Sequence, residues 1–215
     1  MSNDTVLKQA VQDELKWEPS VNEAHIGVTA NAGVVTLSGH VATYGEKRAA
    51  EMAAGRVKAV KAVAEEIEVR LPSEIKRDDE EIASAAIHHL AWDSSVPSDA
   101  VKVKVASGWV TLTGEVEWHF QREAAARDVE GLIGVIGVLN QITIAVKPNA
   151  TNIRDNILIA LHRSWFDPKT IAVTVDGGDV HLSGTVHEWT ERAIAGSTAW
   201  AAPGAISVEN SIRVD

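Results

Sequence analysis

The sequence predicts an α+β protein made of three tandem αββαβ units, each a three-stranded sheet with two helices on one face. The main observation is a strand pattern of alternating apolar and polar residues that occurs three times, at 34–41, 109–116 and 179–186. A run of apolar residues at helical spacing precedes each copy, and a run typical of a second helix follows it. The regular return of this order indicates one small module used three times.

Each copy of the strand carries a glycine at the same place, namely Gly39, Gly114 and Gly184. Side chains alternate between the two faces of a strand, so each glycine is predicted to lie on the buried face. Glycine inside a strand lowers stability by about 0.5–1 kcal/mol relative to alanine. Its occurrence at the same position in all three copies indicates a packing reason. We expect a helix to lie too close to the sheet there for a Cβ atom.

The first helix of each unit is predicted from apolar residues that lie four apart on one face. In the first unit, Asp4 stands just before this face and suits the positive end of the helix dipole. The three faces are Leu7, Val11 and Leu15; Ile82, Ala86 and Leu90; and Ile153, Ile157 and Leu161.

A hairpin, a second helix and a third strand complete each unit. Residues 31–33 are predicted as a three-residue hairpin loop with glycine in the left-handed position. Residues 107–108 and 176–178 are predicted as the corresponding turns. The second helices are predicted over about 46–60, 121–129 and 190–200, and the third strands over 64–69, 138–144 and 207–214.

The three units span residues 1–71, 72–147 and 148–215, with short proline-containing linkers at 72–77 and 147–151. Units of this size bury a modest share of their surface and are marginally stable alone. We therefore expect the units to dock on one another. Because the linkers are short and contain proline, we also expect the units to be held at defined angles.

Charge limits the class of partner. The chain carries 20 basic and 30 acidic side chains, a formal net charge of −10, and each of the three units is negative. Nucleic-acid binding requires lysine and arginine to replace phosphate counterions, so no nucleic-acid partner is expected. Attraction to anionic lipid is weakened for the same reason. The absence of cysteine excludes disulfides and thiolate metal ligands.

The sequence also allows a prediction of the compartment in which the protein is found. No run approaches the roughly 20 apolar residues of a membrane helix. The first residues are polar and acidic, and they lack the basic and apolar regions of a signal peptide. The sequence therefore predicts a soluble cytoplasmic protein. A chain from which a signal peptide had been removed would begin in the same way, and its location would then be the periplasm.

The pattern resembles the BON domain, a family named for bacterial OsmY and nodulation proteins. The resemblance is carried by the Val-Thr-Leu-Ser-Gly strand at 35–39, by the helix after it, and by the segment that closes each unit. That segment is clearest as Gly134-Val135, Asn140 and Ile142 in unit two, and as Gly204-Ala205, Asn210 and Ile212 in unit three. Unit one departs from it, with Ala59 and Glu65 at the glycine and asparagine positions.

The resemblance covers nearly the whole chain as three tandem copies. It implies a non-enzymatic protein without catalytic residues or cofactors, acting in osmotic or envelope stress and binding phospholipid membranes or other envelope components. What it transfers to this chain are the three strand glycines as structural positions. Proteins of this kind are mostly exported, whereas the sequence as it stands shows no export signal.

Aromatic residues are the strongest candidates for a binding role, since the chain has seven tryptophans but only two phenylalanines and one tyrosine. Tyr44, His119 and Trp189 fall at equivalent sites, at the start of each second helix. Exposed aromatics there either insert at a membrane interface or stack on a ligand, or else they join one unit to the next. The candidate lipid- or partner-binding residues are Tyr44, Trp109, Trp118, His119, Phe120 and Trp189.

Other tryptophans receive different predictions. Trp17, Trp92 and Trp165 each end a first helix and are expected to cover the edge of the core. Trp109 begins the glycine strand of unit two and alternates with the buried Val110, so it is expected to project from the open sheet face.

The histidines do not predict a metal site. His88 and His89 are adjacent, so on a helix they point about 100° apart and do not both face one ion. His181 and His187, with Asp179, lie on or near the third glycine strand, where two residues of one face are able to ligate a metal. The other units have threonine at the position of His181, and we therefore expect solvated histidines and no bound metal.

Three functions are left open in order of preference. The first is a non-enzymatic binding or scaffolding protein for a lipid or protein surface. The second is a small-molecule or glycan binder with a tryptophan-lined pocket between units. The third is a hydrolase or metal enzyme built on His181, His187 and Asp179, although the sequence has neither a nucleophile-elbow motif nor a phosphate-binding loop.

Overall fold

A computed structural model describes residues 3–72, 76–145, 152–164 and 168–214. Within them the order α-β-β-α-β occurs three times, as predicted. Unit one contains α1 (Asn3–Trp17), β1 (Ile26–Asn31), β2 (Val34–Val41), α2 (Tyr44–Arg56) and β3 (Ala62–Val69). Unit two contains α3 (Asp79–Trp92), β4 (Val101–Ala106), β5 (Trp109–Val116), α4 (His119–Glu130) and β6 (Gly137–Ile144). Unit three contains α5 (Ile153–Leu161), β7 (Ile171–Asp176), β8 (Asp179–Val186), α6 (Trp189–Trp200) and β9 (Ser207–Val214).

Each unit has its own hydrophobic core between two helices and one face of a sheet. The predicted faces of the first helices are buried throughout, including Val11, Ala86 and Ile157 at their centres. The second helices contribute small residues such as Ala50 and Ala125, which allow the helix to lie close to the sheet. Among the described residues, none of the helices has the length and hydropathy of a membrane-spanning segment.

The three sheets are mixed, and in each the glycine strand is central. In unit one, β1 runs antiparallel to β2, and β3 runs parallel to β2. Units two and three repeat this topology with the same register. A parallel pair needs a crossover connection, and the second helix supplies it. The N-terminus of that helix therefore always follows the central strand directly.

The first hairpin loop is shorter than predicted. Asn31 pairs directly with Val34, so the loop consists of Ala32 and Gly33 alone. Both loop residues have positive φ, 49° and 87°, as a two-residue type I′ turn requires. The predicted three-residue loop was therefore wrong, because Asn31 belongs to the strand.

The strand glycines have like surroundings in all three units, but the predicted reason for them was wrong. Gly39 is exposed and Gly114 and Gly184 are half-buried, with positive φ values of 120°, 141° and 122°. A Cβ built on any of them would overlap a backbone carbonyl oxygen just before the first strand of the hairpin, at His25, Ala100 and Thr170. The close neighbour is therefore the backbone that leads into the paired strand, and not one of the two α-helices.

The second helices begin earlier than predicted because the third residue of each caps its own start. Glu46 accepts the backbone N–H groups of Asn22 and Ala42. Gln121 and Glu191 likewise accept two N–H groups each from the turn before their helices. This cap places Tyr44, His119 and Trp189 inside the first helical turn.

Unit one replaces the asparagine of the closing segment by an ion pair. In unit two, Asn140 donates to the Arg122 carbonyl and so ties the third strand to the second helix, and Asn210 does the same in unit three. In unit one, Glu65 pairs with Lys47 at 2.8 Å, and it also accepts the N–H two residues further on. The departure from the family pattern therefore preserves the link between strand and helix.

The other departure of unit one, Ala59 in place of glycine, leaves strain in the backbone. Gly134 and Gly204 have φ values of 96° and 95°, and Ala59 adopts 71° at the same position. An L-residue with a Cβ pays about 1–2 kcal/mol in the left-handed region.

We expect Ala59→Gly to stabilise unit one by about 0.5–1 kcal/mol, because relief of this strain outweighs the added freedom of the unfolded chain. Urea unfolding followed by circular dichroism measures the change. Ala59 is exposed, so the substitution leaves no cavity. A midpoint equal to or below that of the wild type would contradict the expectation.

Candidate functional site

The first residue of each second helix contacts the neighbouring unit, and these contacts form three joints. Tyr44 packs against the core of unit two. The ring of His119 in unit two stacks on Trp200 of unit three, with centroids 4.0 Å apart and an interplanar angle of 15°. Trp189 of unit three covers Gly55 of unit one, its Nε1 lying 3.5 Å from the place of a glycine Cβ.

The joints follow a cyclic order, from unit one to unit two, from two to three, and from three back to one. Each brings the positive N-terminal end of one second helix to the negative C-terminal end of the next, a favourable arrangement of helix dipoles. Equivalent contacts in cyclic order describe an approximate three-fold ring. Equivalent residues of the three units therefore lie at the same level of that ring.

The residues that receive the three aromatics occupy one common position near the end of the second helix, and their sizes match their partners. The indole of Trp189 meets glycine, Gly55, whereas the smaller His119 ring meets tryptophan, Trp200. At the remaining joint, Glu130 lies beside Tyr44 and forms an ion pair with Arg48, with 3.5 Å between Nε and Oε1. Burial at this joint raises the pKa of the Glu130 carboxyl.

The joint between units two and three leaves an open groove of about 640 Å³, which we call the 2–3 groove. Its wall is largely aromatic, and one acidic and one basic side chain of α4 lie on it. Burial lowers the pKa of His119, so the stacked imidazole is neutral at pH 7. The lining residues are Trp118, His119, Phe120, Glu123, Arg127, Ser197, Trp200 and Ala201.

The six predicted binding residues therefore divide into two groups. Three of them, Tyr44, His119 and Trp189, lie in the joints. Trp118 is half-buried along the 2–3 groove, and Phe120 is 56% exposed at its edge. Trp109 is 53% exposed and extends over Gly137 of the paired strand, on the open sheet face as predicted.

Two tryptophans at the ends of first helices are far more exposed than predicted. The exposed fractions of Trp17 and Trp92 are 84% and 87%, so the expectation that they cover the core edge was wrong. Each follows a buried leucine by two positions, about 200° around the helix, and this angle directs it away from the core. Trp165, the third of the set, lies outside the described residues.

The histidines of interest are on open surfaces. His88 and His89 are exposed, and His181 pairs with Glu209 across the sheet at 3.3 Å. Asp179, which the enzyme hypothesis combined with His181, accepts a hydrogen bond from the Ser207 hydroxyl instead. In the part of the chain that the structure describes, no three histidine or carboxylate side chains gather as metal ligands.

The comparison with protein families finds the BON domain three times, at residues 3–70, 78–146 and 149–215. Among curated proteins, osmotically-inducible protein Y of Escherichia coli (strain K12) is 29% identical over 144 residues. That similarity covers 65% of this chain and 72% of the relative.

Among solved structures, matches occur to CdsD, a structural protein of the type III secretion system of Chlamydia trachomatis. One covers 98% of this chain and 92% of the other, at 15% identity and a TM-score of 0.27. A second, to the C-terminal domain of CdsD, covers 100% and 99% at the same identity and TM-score.

Proposed function

Because this chain belongs to the BON domain family and carries three copies of the domain in tandem, we propose that it is a non-enzymatic binding protein that attaches to phospholipid surfaces. The observation that carries the proposal is the pair of exposed tryptophans, Trp17 and Trp92, at equivalent sites of units one and two. The name of the relative, osmotically-inducible protein Y, supports a role under osmotic stress.

The chemistry of tryptophan suits the boundary of a bilayer. Its large apolar ring favours the acyl region while its N–H remains hydrated, and tryptophan is enriched at membrane interfaces for this reason. Trp17 and Trp92 end the first helices of two neighbouring units at equivalent positions, and a surface that contacts both units would receive both rings.

Charge selects the kind of lipid. The net charge of −10 opposes approach to an anionic surface, whereas a zwitterionic surface leaves the contact to the tryptophans. Binding should therefore be stronger to phosphatidylcholine vesicles than to vesicles that contain phosphatidylglycerol, and added salt should reduce the difference. A protein partner on the same aromatics is the other outcome.

Co-sedimentation with phosphatidylcholine vesicles tests the proposal. We expect the double variant Trp17→Ser/Trp92→Ser to bind about tenfold or more weakly than the wild type, because two interfacial side chains are lost. Both side chains are almost fully exposed, so the fold is preserved. Trp109→Ser is the matched control for loss of an exposed tryptophan elsewhere.

Two results would overturn the lipid proposal. One is a wild type that stays in the supernatant with both kinds of vesicle, which would leave a protein partner as the occupant. The other is a double variant that binds as well as Trp109→Ser.

A further inference from the structure

The aromatic cluster of the 2–3 groove is specific to one joint of the ring. At the sites of Trp118 and Phe120, unit one has Thr43 and Gly45, and unit three has Glu188 and Thr190. The receiving residue Trp200 likewise corresponds to glycine in unit one and glutamate in unit two. Three positions that the fold fills with small or polar residues elsewhere are all aromatic here. Trp200 is the partner of His119 in the joint, but joint formation alone does not require Trp118 and Phe120.

From this cluster and its charges, we propose that the 2–3 groove binds a small zwitterion that carries a quaternary ammonium group, with glycine betaine as the simplest example. Trimethylammonium groups are bound by aromatic faces through cation–π attraction and methyl contact, without any hydrogen bond. Trp118, Phe120 and Trp200 provide such surfaces in one groove.

The two charged residues of the groove match the two ends of such a ligand. Glu123 and Arg127 are one turn apart on α4, a rise of about 6 Å, and both line the groove. The Glu123 carboxylate is 3.5 Å from the His119 ring, and burial lowers the pKa of that imidazole, so His119 adds little positive charge beside the carboxylate. The ammonium group is therefore placed at Glu123 and the aromatic faces, and the carboxylate of the ligand at Arg127.

The same lining argues against a sugar in this groove. A glycan needs several polar side chains to replace the water bound to its hydroxyl groups. The groove offers mainly aromatic carbon, with the charged pair and Ser197 as its polar side chains beside the stacked imidazole. A trimethylammonium cation needs no hydrogen bonds on entering the groove, and Arg127 is available to pair with the carboxylate of the ligand.

Isothermal titration of the wild-type protein with four probes tests the inference. We expect glycine betaine to bind more tightly than choline, because choline has no carboxylate for Arg127. Choline in turn should bind more tightly than 3,3-dimethylbutan-1-ol, its uncharged isostere. Maltose, the fourth probe, should give no heat. The inference is overturned if the isostere matches choline, if maltose binds, or if glycine betaine gives no heat at millimolar concentration.

Three variants localise the site. Phe120→Ala removes an exposed ring and should weaken betaine binding about tenfold, within the range of a desolvated cation–π contact. Arg127→Gln should weaken betaine binding but leave choline unchanged. Trp109→Ala removes an equally exposed aromatic outside the groove and should change neither. If all three variants bind betaine as tightly as the wild type, any binding site lies outside the groove. The result is independent of vesicle binding by Trp17 and Trp92.

Discussion

Gly114→Ala is expected to unfold unit two under conditions in which the other two units stay folded. The added Cβ would overlap the carbonyl oxygen of Ala100, and φ of 141° is a conformation that L-residues rarely adopt. Backbone strain and displacement of the paired strand together should lower the free energy of unfolding by about 3–5 kcal/mol. A unit of about 70 residues has only some 4–10 kcal/mol in total.

Urea unfolding followed by circular dichroism and tryptophan fluorescence measures this effect, and Gly131→Ala is its control. Gly131 ends α4 with φ of −88°, and nothing lies within 4 Å of a Cβ built there. The control should therefore change the stability by about 0.5 kcal/mol or less. If Gly114→Ala unfolds at the midpoint of Gly131→Ala, the strand glycine is not the constraint that the structure indicates.

The strand glycines also show which part of the fold can be predicted from the sequence and which part cannot. Alternation along β2 places Val35 and Leu37 on the buried face, and both are fully buried. Extending the alternation to Gly39 fails, because the rule assumes negative φ and this residue has φ of 120°. The sequence therefore locates the special position, but only the structure shows that the carbonyl of His25, just before the paired strand, causes it.

The exposure of Trp17 and Trp92 could have been predicted from the sequence. Leu15 and Trp17 are separated by about 200° on a helix, and Leu90 and Trp92 by the same angle, so a helical projection separates both pairs. Position at the end of a helix, which led to the prediction of core contact, carries no such information. Angle around the helix axis therefore predicts exposure better than position along it.

Only one side of each joint, the aromatic residue, could be predicted from the sequence. The equivalence of Tyr44, His119 and Trp189 follows from the spacing of the repeats, as does the expectation that small units dock. The receiving positions do not, since glycine, glutamate and tryptophan at residues 55, 130 and 200 share no chemistry. What they share is a place in a ring whose geometry depends on the rotation between units.

Gly55→Trp is expected to open the ring between units one and three. A tryptophan at residue 55 would occupy the space that Trp189 now fills against the Gly55 backbone. The residues of the two other joints are unchanged, so the three units should stay folded, while units one and three lose their contact and move apart. Small-angle scattering should show a radius of gyration clearly above the roughly 17 Å of a compact chain of 215 residues.

Gly55→Ala separates this effect from damage to α2. The nearest atoms to a Cβ at residue 55 belong to Trp189, at 3.5 and 3.8 Å, which are ordinary contact distances. Alanine is therefore accommodated without moving the indole, and it favours the helix by up to about 1 kcal/mol over glycine. The alanine variant should keep the wild-type radius of gyration and unfold at an equal or higher urea concentration.

An exchange of the large and the small residue at this joint tests whether their match in size holds units one and three together. In the double variant Gly55→Trp/Trp189→Gly, the large ring is moved from unit three to unit one, and the joint again contains one indole and one glycine. We expect the double variant to recover most of the compactness that Gly55→Trp loses, a coupling that two independent sites would not show. If the double variant is as extended as Gly55→Trp, size matching between residues 55 and 189 does not hold units one and three together.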